Sequence, residues 1–546
     1  MPSVRSGTAP VLALVAAWLL LASAIGPVAL GSDSATAAPE SGDDPIVVDA
    51  DLPTDGPTVE AVVRLEEADI PAGIGADETE QRLETHAEST QEPLLEYARG
   101  SDGLQVEETF WLTNAVLLEV DTDAVDYEAF DRFGAVEAVH ENVEVSVPER
   151  PDRVNATASG AAALAGSERR TTTGLAQVNA TDVWDAYDTR GEGVRVAVLD
   201  TGVDTGHPDI DLATDDPSDP TYPGGWAEFD ATGGRVPGST PHDTGTHGTH
   251  VSGTVAGGAT TGTAIGVAPE AELLHGLVLT DTNGSFAQVV AGMEWAVRQD
   301  ADVISLSLGA TGKHAPFIDP VRNARDSGAV VVGATGNDGP ETSGSPGNVY
   351  ETISVGAVDR NGAVPSFSSG QRIDRTEWTA APPDWTAPPS YVVPDVVAPG
   401  VAVTSAAPGG GYRSMPGTSM AAPHVSGTAA LLLSIEPNAT PDEITTTVTE
   451  TARMPAAGIV AGDTTTADGT ATLETRYGHG IVDAKAAADA LVAARRSSDD
   501  AVAGNASDSD PREGARSPSS PVFVAGVLVA VSLTLAVLAR YRIGRR

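Results

Sequence analysis

The stretch Val194-Arg-Val-Ala-Val-Leu-Asp200-Thr-Gly-Val-Asp204 is an apolar run that stops on a carboxylate and then turns. It reads as a buried strand, and the carboxyl end of a strand in a parallel sheet is where α/β sites assemble. Further strands are predicted at Leu273 to Leu279, Val303 to Leu308, Ala329 to Ala334 and Thr352 to Val358. Between and after them, Ser285 to Arg298, Pro316 to Arg325, Thr418 to Ile435 and Pro441 to Thr451 read as helices. Thr440-Pro441-Asp442-Glu443 is a helix start: Thr440 caps, Pro441 suits the first turn and Glu443 reaches back. This alternation from about Gly174 to Val492 predicts an α/β domain, a doubly wound, largely parallel sheet with helices on both faces.

Outward from that domain the composition changes. Residues 1–38 read as a signal peptide, with Arg5, an apolar stretch from Pro10 to Leu30 and Ala35-Thr36-Ala37 before an acidic chain. An uncleaved N-terminal anchor is the alternative. Residues 45–150 form a separate small α/β unit: strands at Val59 to Leu65 and Ala115 to Val120, helices at Thr79 to Tyr97 and Val125 to Phe133. Residues 151–173, rich in Ala, Gly, Ser and Thr with Arg169-Arg170, suit an exposed, cleavable linker. Residues 493–520 read as a disordered acidic linker, and Pro521 to Ala539 carries no charge over a length that can cross a bilayer. Arg540, Arg542, Arg545 and Arg546 follow, so 540–546 is a basic cytoplasmic tail and the preceding domain faces outward.

The chain of 546 residues carries a formal charge of −46, from 77 Asp and Glu against 31 Lys and Arg, and its only lysines are Lys313 and Lys485. Such a surface repels phosphates and excludes nucleic acid as a partner. At molar salt the Debye length falls to roughly 3 Å and carboxylate repulsion is screened. A folded, salt-dependent protein is the expected state, since the apolar fraction of 41% supplies a core. Cysteine is absent, which removes disulfides, thiol catalysis and Cys-held zinc.

Two more segments bear chemistry. His247-Gly-Thr-His250-Val-Ser-Gly253-Thr puts a histidine at a Gly-rich helix start. Its spacing does not meet the zinc pattern H-E-x-x-H, so a general base is the better reading. In Gly417-Thr-Ser419-Met-Ala-Ala-Pro423-His-Val-Ser-Gly427 a serine sits where a helix begins, beside free N–H groups that favour negative charge. A simple N-cap is the plainer role for such a serine.

Together with the Asp200 strand, these segments resemble the subtilisin-like serine peptidases, in that family's order Asp, His, Ser. Gly266-Val-Ala-Pro269, Ser307-Leu-Gly309, Ala334-Thr-Gly-Asn337, Asp395-Val-Val-Ala-Pro399-Gly and Gly478-His-Gly480-Ile-Val-Asp483-Ala extend the resemblance over roughly Gly174 to Val492. The resemblance implies Ser419 as nucleophile, His247 as base and acid, Asp200 as the orienting carboxylate, and Asn337 with the Ser419 N–H as oxyanion donors. It implies that Ser307, Leu308 and Gly309 pair with substrate backbone and that Ala334, Thr335, Gly336 and Gly344 surround a pocket open to large apolar side chains. It implies no cofactor for the chemistry. Asp209 matches a calcium ligand of the family, as a structural ion, but Thr260 stands where an asparagine is usual. Acidic Asp211, Asp215, Asp216 and Asp219 read as a solvated loop.

The unit 45–150 resembles the family's N-terminal propeptide, an intramolecular inhibitor, with cleavage expected between Val147 and Thr173. An insertion between Ser369 and Val393 carries Trp378, Trp385 and Tyr391, and reads as a surface loop with a packed cluster rather than a partner patch. The expected protein is a secreted serine endopeptidase acting on polypeptides, anchored by its C-terminal helix at the extracellular face of the membrane. The alternatives are a maturation protease with few substrates and a catalytically silent binding protein on the same fold. Asn155, Asn179, Asn283, Asn438 and Asn505 begin sequons that permit glycosylation.

Overall fold

The computed structural model describes residues 46–148, 170–455 and 473–507, apart from positions 51, 55–57, 72, 214–223 and 282. The segments read as signal peptide, membrane span and basic tail, and nearly all of the linker 151–173, lie outside the described residues. No helix among the described residues is long and apolar enough to cross a membrane.

The N-terminal part is a five-stranded sheet. Its strands are β1 (Val47–Val48), β2 (Val59–Leu65), β3 (Leu104–Phe110), β4 (Ala115–Val120) and β5 (Val136–Glu141), in spatial order β1-β5-β2-β4-β3. Helix α1 (Ala76–Arg99) covers one face and a short strand β6 (Glu144–Val145) leads out of the sheet. The period of two along β2 decides the two faces. Ala61, Val63 and Leu65 pack with Leu94 and Ala98 of α1. Val62, with Ala115 and Leu117 of β4, joins a larger core built by the rest of the chain.

That larger part begins with α2 (Thr173–Gln177) and α3 (Ala180–Tyr187). Residues 170–173, placed in the linker from composition, already belong to it: Ala264 N donates to Arg170 O at 2.8 Å and Thr172 N to Ala264 O at 3.1 Å. Strands β7 (Arg195–Asp200), β8 (Trp226–Glu228), β9 (Glu272–Leu277), β11 (Val303–Leu306), β13 (Val330–Ala334), β15 (Ile353–Val358) and β18 (Val396–Pro399) form a seven-stranded sheet, ordered β18-β15-β13-β11-β7-β9-β8. Every adjacent pair is parallel. The chain runs from β7 to the edge strand β8, returns to β9 beside β7, then crosses to β11 on the other side, so the switch point lies at the carboxyl ends of β7 and β11.

Helices cover both faces, which is why these strands read as unbroken apolar runs. Helices α4 (His247–Ala256) and α7 (Thr418–Ile435) lie in one core cluster, α5 (Phe286–Arg298) and α6 (Ile318–Asp326) in the other. Helix α5 is capped by a reciprocal Ser285/Gln288 box and α8 (Pro441–Glu450) by Thr440/Glu443. Every residue of α5 from Phe286 to Val297 is buried. A helix buried all round needs cover on both sides, and the N-terminal sheet supplies the second. Glu294 of α5 accepts the N–H groups of Trp111 (2.5 Å) and Leu112 (2.9 Å). Asn323 of α6 donates to Leu112 O at 2.8 Å. These bonds fix where the N-terminal sheet seats.

Short antiparallel pairs complete the domain: β10 (Gly284–Ser285) with β6, β12 (Ala310–Thr311) with β14 (Gly344–Ser345), β16 (Gln371–Asp374) with β17 (Ser390–Val393), and β19 (Val403–Ala407) with β20 (Gly411–Met415). After α9 (Leu473–Tyr477), the last helix α10 (Ala484–Ser507) continues through positions 493–507, which composition assigned to a disordered linker. Alanine recurs along it, and alanine has the highest helix propensity, so the helix persists past its buried part.

The insertion carries the expected packed cluster, on a hairpin of β16 with β17. Trp378 (5% exposed), Trp385 (4%) and Tyr391 (9%) are buried. The two indoles meet edge to face at 5.3 Å, Trp378 Nε1 donates to Tyr391 Oη at 3.0 Å, and Trp385 Nε1 donates to Glu351 at 3.0 Å. Tyr391 in turn donates to Asn348 O at 2.9 Å. Trp385→Ala is therefore expected to destabilise the folded protein by about 3 kcal/mol or more. Denaturant melts that agree with wild type to within about 0.5 kcal/mol would return these aromatics to the status of surface residues.

Candidate active site

The switch point collects the chemistry. Asp200 ends β7 with its side chain fully buried and His247 is the first residue of α4. His247 Nδ1 lies 2.8 and 3.0 Å from the two Asp200 oxygens, so Nδ1–H donates and Nε2 is left as the basic nitrogen. Asp200 also accepts from Thr201 N at 2.7 Å.

A second carboxylate, not singled out from the sequence, holds this pair in place. Asp243 accepts from Thr249 N (2.9 Å), Thr249 Oγ1 (2.6 Å) and Thr201 Oγ1 (2.9 Å). Thr201 Oγ1 accepts from Gly248 N at 2.9 Å. Asp243 thus ties the turn after Asp200 to the start of α4, and a carboxylate is favoured at a helix N-terminus. Burial still pushes its carboxyl above the usual range. The readable signal was an Asp four positions before His247 at a Gly-rich helix start.

Ser419 is the second residue of α7, among the first N–H groups that have no intrahelical acceptor. The preceding Gly417 has φ +147°, where a side chain is strained, so glycine makes the sharp entry possible. Asn337 follows β13. Its Oδ1 accepts from Thr418 N at 2.9 Å, which turns its Nδ2 outward as a donor. Asp200, His247, Asn337 and Ser419 therefore stand on four different elements of one sheet edge.

The structure does not show a Ser419–His247 hydrogen bond. Ser419 Oγ donates to Ser307 O at 3.2 Å, while Ser307 Oγ donates back to Ser419 O at 2.9 Å. His247 Nε2 is buried and has no hydrogen-bond partner among the described residues.

A peptide main chain already occupies the site, and it is the protein's own. β6 pairs with β10 on one side. On the other, Ser146 and Gly309 exchange both N–H···O bonds at 3.0 Å. Pro148 O then accepts from Asn337 Nδ2 at 3.3 Å. Val147 and Pro148 line a cavity of about 440 Å³ with Thr201, Gly245, Thr246, His247, Asp281 and Arg413. Ser307, Leu308 and Gly309 follow directly on β11, and this segment bridges to Gly309. Gly309 approaches Ser345 O closely enough that a Cβ would sit 2.7 Å away, and Gly344 N donates to Thr335 O at 3.0 Å. Ala334, Thr335, Gly336 and Gly344 are thus gathered beside that strand.

The calcium expectation for Asp209 does not fit. Its carboxylate accepts from Thr260 N at 2.7 Å, from Thr260 Oγ1, and from Tyr412 Oη at 2.6 Å. O–H and N–H donors aim their protons where a cation would need to sit, and no cluster of three His, Asp or Glu suits a metal among the described residues. Thr260, in place of asparagine, supplies two of those donors.

His250 faces away from the site. Its Nε2–H points between Val403 O (3.0 Å) and Arg413 O (3.1 Å). Burial holds its pKa down at about 3, and those of His275 and His424 at about 4.

The family comparisons agree with this layout. The subtilase family model matches residues 191–480. Subtilisin E of Bacillus subtilis (strain 168) is 38% identical over 255 residues, 45% of this chain and 57% of that protein. Subtilisin of Bacillus pumilus is 34% identical over 306 residues, 55% of this chain and 92% of that protein. The thermostable alkaline protease of Halalkalibacterium halodurans is 36% identical over 265 residues, 48% of this chain and 63% of that protein. The chain thus spans 57% of the length of the subtilisin E it matches.

A depressed histidine pKa gives a signed prediction. An unfolded histidine takes a proton near pH 6.5, a buried one only near 3 to 4. The unfolded chain binds more protons between these values, so their contribution to stability is full above about pH 6.5 and is lost as pH falls toward 4. His250→Gln should flatten the fall of Tm over that window in strong salt. Asp395, raised by burial to about 7, acts in the opposite sense in both proteins, so the difference in slope isolates His250. An unchanged slope would contradict the assignment. With the four-element edge and the family match in hand, the chain belongs to the subtilase family of serine peptidases.

Proposed function

We propose that the protein is a serine endopeptidase that cuts polypeptides through an acyl-enzyme on Ser419. The observation that carries this reading is a main chain held antiparallel to Gly309 with its Pro148 carbonyl on Asn337, beside a histidine already paired with a buried carboxylate. A substrate carbonyl in that place receives Ser419 Oγ once the hydroxyl turns from Ser307 O to His247 Nε2. His247 takes the proton and returns it to the leaving amine, while Asp200 holds the tautomer and stabilises the imidazolium. Asn337 Nδ2 and the Ser419 N–H take the oxyanion.

The N-terminal sheet is, in this reading, a propeptide whose last residues plug the cleft until it is cut away. The interface through Glu294, Asn323 and α5 supports it. The signal-like segment 1–38, the uncharged run 521–539 with its arginine tail, and the charge of −46 support an exported enzyme that is tethered at the outer membrane face and depends on salt.

In strong salt a fluorophosphonate should label the wild-type chain and leave Ser419→Ala unlabelled. Equal labelling of both would remove Ser419 from the chemistry. Asn337→Ala should lower kcat on the order of 10²- to 10³-fold with little change in KM, the loss known for one such donor in this family. Near-normal kcat would take Asn337 out of the oxyanion role.

A further inference from the structure

The self-segment in the cleft carries a proline where the ladder asks for a donor. In an antiparallel pair, residues that exchange both bonds recur every second position. Ser146 and Gly309 are such a pair. Two residues further along one strand and two back along the other, Pro148 faces Ser307. A residue there would give its N–H to Ser307 O, but proline has none. Ser307 O takes the Ser419 hydroxyl instead, at 3.2 Å. His247 Nε2, the atom that should receive that hydroxyl, has no partner among the described residues.

We infer that Pro148 is an autoinhibitory residue: by failing to satisfy Ser307 O, it leaves the nucleophile parked on that carbonyl and makes the bond after Pro148 slow to cut. A segment with an N–H at this position claims Ser307 O, displaces the Ser419 hydroxyl and hands it to His247. The inference rests on the peptidase reading above and extends it to specificity. It disfavours proline, and any N-substituted residue, immediately before the cut bond.

The chemistry being slowed is balanced. A bond forms between Ser419 Oγ and the Pro148 carbonyl carbon, and the hydroxyl proton passes to His247 Nε2. The carbon–nitrogen bond to Glu149 then breaks as that proton moves to the Glu149 nitrogen. Water afterwards hydrolyses the ester and restores Ser419.

The test has two arms, both in strong salt. In the first, the full chain and its Pro148→Ala variant are refolded, and cutting after position 148 is timed by mass spectrometry of the new termini. In the second, peptides spanning positions 142–153 carry proline, alanine or N-methylalanine at 148 and are offered to enzyme matured from the full chain. Alanine should be cut about tenfold faster than proline, the upper end of one backbone hydrogen bond's usual share, and N-methylalanine should be as slow as proline. N-methylalanine cut as fast as alanine would overturn the inference, since the missing N–H would then not matter. Alanine no faster than proline, with other peptides cut normally, would overturn it while leaving the peptidase reading intact. Failure to cut any peptide, together with no fluorophosphonate labelling, would remove both.

Discussion

A wholly buried carboxylate at the end of one strand, held against the imidazole of a neighbouring helix, is the contact on which the rest of the site depends. Leaving Asp200 buried without partners would be costly. It has Thr201 N and the His247 Nδ1–H as donors, within 3.0 Å. Satisfying Asp200 this way selects one tautomer of His247 and leaves Nε2 free to act as a base. Asp243, through Thr201, Gly248 and Thr249, keeps the strand end and the helix start in register, so the pair has little freedom to drift.

Much of this was legible in the sequence because local rules and the global fold agree. The apolar runs that end at Asp200 and Ala334 are strands with their functional residues at the carboxyl edge. The helix predicted from Thr418 to Ile435 has those bounds, and Thr440 caps its helix with Glu443 as read. Asp200, His247, Asn337 and Ser419 converge because the strand order reverses beside β7, in a sheet whose parallel strands follow from alternation of strand and helix.

What was not legible depends on partners distant in the chain. Tyr412 of β20 and Thr260 of the segment after α4 reach Asp209 from far along the chain, and no local pattern shows that a carboxylate is already spent on them. The strands β16 and β17 are only four residues each and are parted by a proline-rich connection that hides their pairing; their order comes from packing Trp385 against Glu351 and Tyr391 against Asn348. The seat of the N-terminal sheet rests on Glu294, which in the helical pattern of α5 is one more charged residue. The proline in the cleft is silent in the sequence as well, since its meaning comes only from the residue opposite it.

The account treats Asp200, His247 and Ser419 as one device. Its most direct test is the kcat of matured enzyme bearing Asp200→Asn, Ser419→Ala and both together, with each precursor processed in trans by wild-type enzyme. If the device is one, the double variant is no slower than Ser419→Ala alone, the non-additivity a serine triad is known for. If the two losses multiply, the carboxylate and the hydroxyl act independently and the account is contradicted.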